Sequence, residues 1–381
     1  MVNKKPALGL TVLSALLLAG CDSGGNSAES QKQIDDLQQQ VAALEKQLSE
    51  AKANTAQAPA PSAQGENTLE KVKKSGVISC GVGTGLPGFS NPNSNGAWEG
   101  IDVEFCQAMA AAVLGDKDKV KYVPLTAKER FTALQSGEID ILSRNTTWTL
   151  QRDGTLGLNF VGVNYYDGQG FMVKKDLGVK SALELDGASV CVQSGTTTEL
   201  NLSDYFRSNG MSFKPVVYDT YDATVKGFES GRCDTLTTDQ SGLYASRIKL
   251  ADPDSAVVLP EIISKEPLGP VVRQGDDNWF NIAKWTLNTM INGEEFGITS
   301  ANVDEMVNSK DPNIRRILGQ DGPKGKGLGL NDDWGYQVIK QVGNYGESFQ
   351  RTVGSGSPLQ ISRGVNALWS EGGILYAPPI R

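Results

Sequence analysis

The chain has 381 residues, 43 of them glycine, with a formal net charge of −8 and no histidine. Its length allows a large core or two lobes, and an acidic balance without a long basic run argues against nucleic acid as a partner. The lack of histidine removes the commonest general base and the commonest metal ligand together, so neither a metal nor a cofactor is expected.

The first residues read as an export signal. Lys4 and Lys5 precede an apolar run, Ala7 to Ala19, that is too short to span a bilayer. The run ends Leu17-Leu18-Ala19-Gly20-Cys21, which resembles the lipobox of bacterial lipoproteins. That resemblance implies a signal peptide over 1–20 and a lipid on Cys21 that anchors the chain to the membrane. Asp22 resembles the residue that keeps many such proteins at the inner membrane, on its periplasmic side. Residues 21–66 then form an anchor and spacer. Ile34, Leu37, Val41, Leu44 and Leu48 recur at spacings of three and four, a coiled-coil seam of two to three heptads that reads first as a solvated helical spacer, with self-association as the alternative. The stretch 54–66, rich in Ala, Pro, Gln and Ser, is a linker with little to bury.

From about Thr68 strands and helices alternate. Val77 to Val82 reads as a strand, and Asp102 as the cap of a helix ending at Gly115. Lys121 to Leu125, Glu129 to Gln135 and Ile139 to Ser143 complete a β-α-β-α-β order, which predicts a parallel sheet. The order returns with strands at Ala188 to Val192, Pro215 to Tyr218 and Thr235 to Thr238, and helices at Thr198 to Ser208 and Thr224 to Glu229. A weak repeat marks the two halves: Leu134-Gln135-Ser136-Gly137-Glu138-Ile139-Asp140 against Phe228-Glu229-Ser230-Gly231-Arg232-Cys233-Asp234. At matching offsets Asn145 and Asp239 follow, so each half presents a polar residue at an equivalent strand end, with a ligand cleft between them. Apart from Cys21, four cysteines allow three pairings. Cys80–Cys106 with Cys191–Cys233 keeps each bridge within one half and leaves a hinge free. In the C-terminal part, amphipathic helices are expected near Asp332 to Lys340 and Ile361 to Leu368, packed over the first lobe.

The polar strand ends carry the chemistry. Asn145 to Arg152 offers three threonine hydroxyls, an amide and a guanidinium, and such a fork can grip both oxygens of a carboxylate. Gly195-Thr196-Thr197 opens a helix whose first N–H groups favour an anion; ordinary capping is the alternative. Asp239 suits a ligand ammonium, or caps the next helix. Together these groups match a zwitterionic amino acid. Gly83, Gly85 and Gly88 fit G-x-G-x-x-G, but Asn91, Pro92, Asn93, Asn95 and Gly96 follow, so no helix opens there and the dinucleotide reading fails. Arg130 and Arg144 fit the cleft or structural ion pairs equally, Trp148 reads as core, and Asp276 with Asp277 as solvated loop.

Several phrases resemble the amino-acid-binding proteins of polar amino-acid ABC transporters (solute-binding protein family three). They are Gly100-x-Asp102-Val103, Ala133-Leu134-Gln135-Ser136-Gly137-x-x-Asp140, Thr147-x-Thr149-x-x-Arg152, Val192-Gln193-Ser194-Gly195-Thr196-Thr197, and Ser230-Gly231-Arg232-x-Asp234 leading to Asp239. The general L-amino-acid-binding branch is closer still, through Cys80-Gly81-Val82, Gly85-Leu86-Pro87-Gly88-Phe89, Ser143 to Leu150, Val342 to Glu347 and Gly354 to Leu359.

The resemblance implies an α/β, two-lobed periplasmic-binding-protein fold. Each lobe would be a mainly parallel sheet flanked by helices, and the protein would bind rather than catalyse. It implies lobe one at 67–171 and 267–381, with lobe two at 172–266. Hinge crossovers are expected near Gly170 to Val173 and near Glu266 to Val272. It places the carboxylate clamp on Arg152 with Thr147 and Thr197, the ammonium acceptor on Asp239, a first-lobe contact on Asn145 and an aromatic contact on Phe89. Ala127 sits where some relatives carry another pocket aromatic, which implies a roomier pocket. The implied partners are an L-amino acid and the permease and ATPase subunits of a transporter. A sensing module, or an enzyme on the same scaffold, is the alternative.

Overall fold

The computed structural model describes residues 67–322 and 325–381. The signal peptide, Cys21, the coiled coil and the linker lie outside the described residues.

The first alternating run folds as its pattern dictates. Strand Ile78–Val82 is buried along most of its length, and helix Ile101–Leu114 ends at Gly115, where φ is 70°. Strand Val120–Pro124, helix Arg130–Ser136 and strand Ile141–Leu142 follow. Ile78–Val82 pairs in parallel with the other two strands. Val271–Arg273 lies antiparallel beside Ile141–Leu142, and Leu158–Phe160, antiparallel to Val271–Arg273, forms the edge. The second sheet repeats the plan. Lys214–Tyr218, Ser189–Gln193 and Thr235–Asp239 are parallel, Gln169–Lys174 lies antiparallel beside them, and Ala256–Val258, antiparallel to Gln169–Lys174, forms the edge. Each sheet is therefore mixed, because the chain must cross into the second lobe and come back.

The repeat in the sequence has a mechanical meaning. Gly137 and Gly231 both take left-handed φ, at 80° and 76°, which a residue with a Cβ adopts only at a cost. Just beyond them, the carboxylates of Asp140 and Asp234 accept the N–H groups of Ser79 and Ser189, at 2.9 and 2.8 Å. Each aspartate thus ties the third strand of its βαβαβ unit to the first.

The crossovers lie side by side as an antiparallel pair, Tyr165–Asp167 with Glu266–Leu268. The hinge expected at Gly170 to Val173 is corrected by this pairing. Those residues belong to Gln169–Lys174 in the second sheet, and Phe171, Met172 and Val173 are fully buried in the second lobe's core. The first crossing comes earlier, at Tyr165–Asp167. Beside the crossovers, a Cβ on Gly269 would sit 1.9 Å from the Gly162 carbonyl oxygen, so the two chains meet there backbone to backbone.

Disulfides join Cys80 to Cys106 and Cys191 to Cys233, with Cα separations of 6.3 and 5.7 Å. In the chain-entropy model a loop of 42 residues' separation is worth about 4 kcal/mol. Replacing Cys191 and Cys233 together by serine is expected to lower stability by roughly that amount. Denaturant titration monitored by tryptophan fluorescence checks it; an unchanged midpoint would mean the bridge constrains nothing.

The C-terminal part packs on the first lobe. Helix Asp277–Glu295 buries Trp279, whose indole N–H donates to the Asp140 carbonyl at 2.9 Å. Asp276 is not a solvated loop residue: its carboxylate caps that helix through the Trp279 N–H and also takes the Thr68 N–H. Helix Trp334–Gln341 forms as expected. No helix spans Ile361 to Leu368; only a 3₁₀ turn, Gly364–Asn366, is present. Gly364 there has φ of 49°, and the Asn366 side chain is committed to the Tyr166 backbone, donating to its carbonyl and accepting its N–H. An unforeseen helix, Tyr345–Thr352, opens with an Asn344–Glu347 capping box. Arg351 reaches Glu104 and Arg363 reaches Glu294 through paired hydrogen bonds, which fasten this part to the rest of the lobe.

Candidate functional site

The carboxyl ends of both sets of parallel strands face a single cavity of about 640 Å³, its mouth included. The first lobe supplies Gly83, Thr84, Gly85, Leu86, Arg130, Arg144, Asn145 and Thr147. The second supplies Gln193, Thr196, Thr197, Thr198, Tyr221, Thr224, Thr237, Thr238 and Asp239. No helix follows Gly83, Gly85 and Gly88; the chain runs into a hairpin, Asn91–Pro92 with Trp98–Glu99.

Four of the expected site residues line this cavity, namely Asn145, Thr147, Thr197 and Asp239. The three threonines after Asn145 divide their work. Thr146 donates to the Arg144 carbonyl, and Thr149 caps helix Leu150–Thr155. Thr147 alone reaches the cleft, where its hydroxyl lies 3.2 Å from that of Thr197 in the opposite lobe. Thr196, not Thr197, caps helix Thr197–Ser208 by accepting the Glu199 N–H. Asp239 precedes helix Gln240–Arg247 without any side-chain capping bond, so its carboxylate remains uncommitted.

Two other expected residues are not among those lining this cavity. Arg152 is not in the cavity wall. It lies behind Thr147, donating from Nη1 to the Thr147 carbonyl at 2.8 Å and packing over Phe131. Phe89 is buried in the first core, edge-on to Tyr165 at 5.2 Å. The turn at left-handed Gly88, packed against Val353 and Leu359, carries it inward. Two further expectations change outside the wall. Trp148 is not core: it is 39 % exposed and stacks on Phe160. Asp102 does not cap its helix; Gly100 holds that position, and the Asp102 carboxylate accepts the Asn145 N–H at 2.9 Å.

The guanidiniums that do line the cavity are Arg130 and Arg144. Arg144 Nε donates to the Leu125 carbonyl at 3.1 Å, and Arg130 Nη1 to Thr146 at 3.4 Å. Arg130 Nε is buried and has no hydrogen-bond partner among the described residues. Burial first, then the neighbouring Arg144 and Arg152, pull the Arg130 pKa well down. Burial likewise lowers Arg144 and Arg152 to about 10, with Asp102 and Glu266 respectively opposing the fall most. Both remain cationic at neutral pH. Burial pushes the Asp239 carboxyl well up, Asp167 and Glu266 push it further, and Arg130 and Arg152 oppose them. Asp167 is raised to about 6, chiefly by burial. The site therefore places guanidiniums and the Asp239 carboxyl in the lining of one cavity.

Local sequence gave little sign of the remaining wall. Tyr221, Thr224, Thr237 and Thr238 are ordinary helix and strand residues by spacing, and only the folding of each sheet brings them to the cleft. Among the described residues no cluster of His, Cys, Asp and Glu is arranged to hold a metal ion. No described helix is long and apolar enough to cross a membrane.

Known proteins share this architecture. The chain is 62 % identical over 322 residues to the general L-amino acid-binding periplasmic protein AapJ of Rhizobium johnstonii, covering 84 % of this chain and 94 % of that protein. It is 54 % identical over 321 residues to the glutamate/glutamine/aspartate/asparagine-binding protein BztA of Rhodobacter capsulatus, covering 84 % and 95 %. A solved periplasmic binding protein of an ABC transporter from Brucella ovis, with glutathione bound, superposes with a TM-score of 0.81 at 57 % identity, covering 83 % of this chain and 99 % of that one. Residues 78–300 match the model of the bacterial extracellular solute-binding proteins, family 3. With two βαβαβ lobes, paired crossovers and a charged cleft between them, the chain belongs to that family.

Proposed function

We propose that the protein is the substrate-binding component of an amino-acid ABC transporter. It captures L-amino acids by closing its lobes and hands them to the permease and ATPase subunits. One observation carries this reading: Asp239, buried and with no hydrogen-bond partner for its carboxylate among the described residues, shares a cavity with Arg130 and Arg144. The ligand ammonium goes to Asp239. The carboxylate goes to the guanidiniums and to the N–H groups at the start of helix Thr197–Ser208, where the helix dipole favours an anion. Thr147 and Thr197 flank it, and Arg152 holds Thr147 from behind. Lobe one comprises about 68–167 and 267–381, with lobe two between. Closure sequesters the ligand and populates the state that the permease recognises. No covalent step is part of this role. The names of the relatives support amino acids as the ligand class, and the leader ending at Cys21 supports tethering to the periplasmic side of the inner membrane through a lipid.

A thermal-shift screen of the proteinogenic L-amino acids, their D-forms and glutathione tests the reading. A ligand bound only by the native state must raise the melting temperature. Stabilisation by several L-amino acids and not by their D-forms is expected. A flat response after refolding from denaturant, which removes any co-purified ligand, would reject it.

A further inference from the structure

Beneath the cavity, rather than in its wall, lies a carboxylate with an unusual set of partners. Glu266 is 1 % exposed and sits on the returning crossover, Glu266–Leu268. Its Oε1 accepts from Asn201 Nδ2 at 2.7 Å and from the Ser264 hydroxyl at 2.6 Å. Its Oε2 accepts from the Thr147 hydroxyl of the first lobe at 2.6 Å and from the Thr197 hydroxyl of the second at 3.0 Å. One buried side chain thus receives donors from both lobes at the hinge, and through two of them it reaches the cavity wall. The same strand lies against the backbone of that wall: the Trp148 N–H donates to the Pro267 carbonyl at 2.8 Å, and Thr147 bridges to Leu268. Thr147 is therefore held at its hydroxyl by Glu266 and at its carbonyl by Arg152.

If cohesion alone were needed here, an apolar side chain would serve at lower desolvation cost. A carboxylate adds direction. It fixes the rotamers of two threonines and makes their alignment depend on the lobes being together. Glu266 bonds to both threonines here, where their hydroxyls lie 3.2 Å apart across the two lobes.

We propose that Glu266 is the positioning residue that pins the two lobes together beneath the ligand and aligns Thr147 with Thr197. This rests on the amino-acid-binding reading above. The pin makes no contact with ligand; it acts by slowing the opening of the closed form.

The test compares the full chain with Glu266→Gln and Asn201→Ala. The amide of Glu266→Gln turns N–H groups toward donors, and Asn201→Ala frees Oε1 without altering the cavity wall. Hydrogen exchange on the ligand-free chain, read at the Trp148 amide, should speed up in both variants. With L-glutamine as probe, dissociation by stopped-flow fluorescence should be about tenfold faster while association is kept, so that Kd rises about tenfold. Unchanged exchange and dissociation in both variants would overturn the proposal. So would faster exchange throughout the chain with a lowered melting temperature and unaltered dissociation, since that is a purely structural role. A wild-type chain that fails to bind L-glutamine or any other L-amino acid rejects the transport reading instead, and acceleration confined to Trp148 would still uphold the pin.

Discussion

Asp239→Ala is expected to abolish amino-acid binding while leaving the chain folded. The ammonium of a bound amino acid loses its charge-assisted partner in a closed cavity, a change that typically costs about 2–5 kcal/mol, or roughly 30-fold to several thousand-fold in Kd. Isothermal titration with a ligand found in the screen reads this directly. Folding should be spared, because Asp239 makes no side-chain capping bond and its carboxyl is driven up by burial and by Asp167 and Glu266. Asp239→Asn keeps the shape and removes the charge, so the ligand-free variant should melt no lower than the parent. Near-parental affinity in either variant would reject Asp239 as the ammonium site, and a sharp fall in melting temperature would make the side chain structural.

Affinity is expected to fall as the pH is lowered from 7 to 5, by up to tenfold per unit. In the free protein, Asp239 is raised well above the usual carboxylate range, and Asp167 stands at about 6. The sign follows from which form each state prefers. The free cleft favours the protonated carboxyls, whereas a bound ammonium favours the ionised Asp239, so binding expels a proton. Affinity therefore rises with pH until the free-state value of Asp239 is passed, and then levels. For the ligand-free fold the sign is opposite. A carboxyl raised above its unfolded value contributes stability at low pH that is lost as pH rises through the folded value, and ligand restores it. Titrations in two buffers of different ionisation enthalpy count the protons released. No release between pH 5 and 7 would place the ammonium elsewhere. Loss of the pH dependence in Asp239→Asn would assign it to this residue.

The elements themselves were legible because their signals are local. Apolar spacing located the three parallel strands of each lobe and the helices between them, and glycine stops closed the helices at Gly115 and Gly137. Pairing each cysteine within its own half anticipated both disulfides. The failures were also local. Asp102 looked like a helix cap but turned inward to the Asn145 backbone, and the spacing from Ile361 to Leu368 suited a helix that Gly364 and the docking of Asn366 prevent. Among the polar strand ends, Asn145, Thr147, Thr197 and Asp239 were identified as facing one place, and they do line the cavity.

The sequence by itself thus determined the two-lobed alternation, the repeat that relates the lobes and the stretches where polar groups gather. Periodicity and turn chemistry act over a few residues and are written in the letters. Only the tertiary structure decided which arginine meets the cavity. Arg152 donates from Nη1 to the Thr147 carbonyl, while Arg130 and Arg144 line the wall. It also decided that Glu266 meets Thr147, 119 residues away in sequence, beneath the ligand site. Such choices depend on how two sheets and a returning crossover converge, and a contact between distant segments leaves no periodic trace in either one.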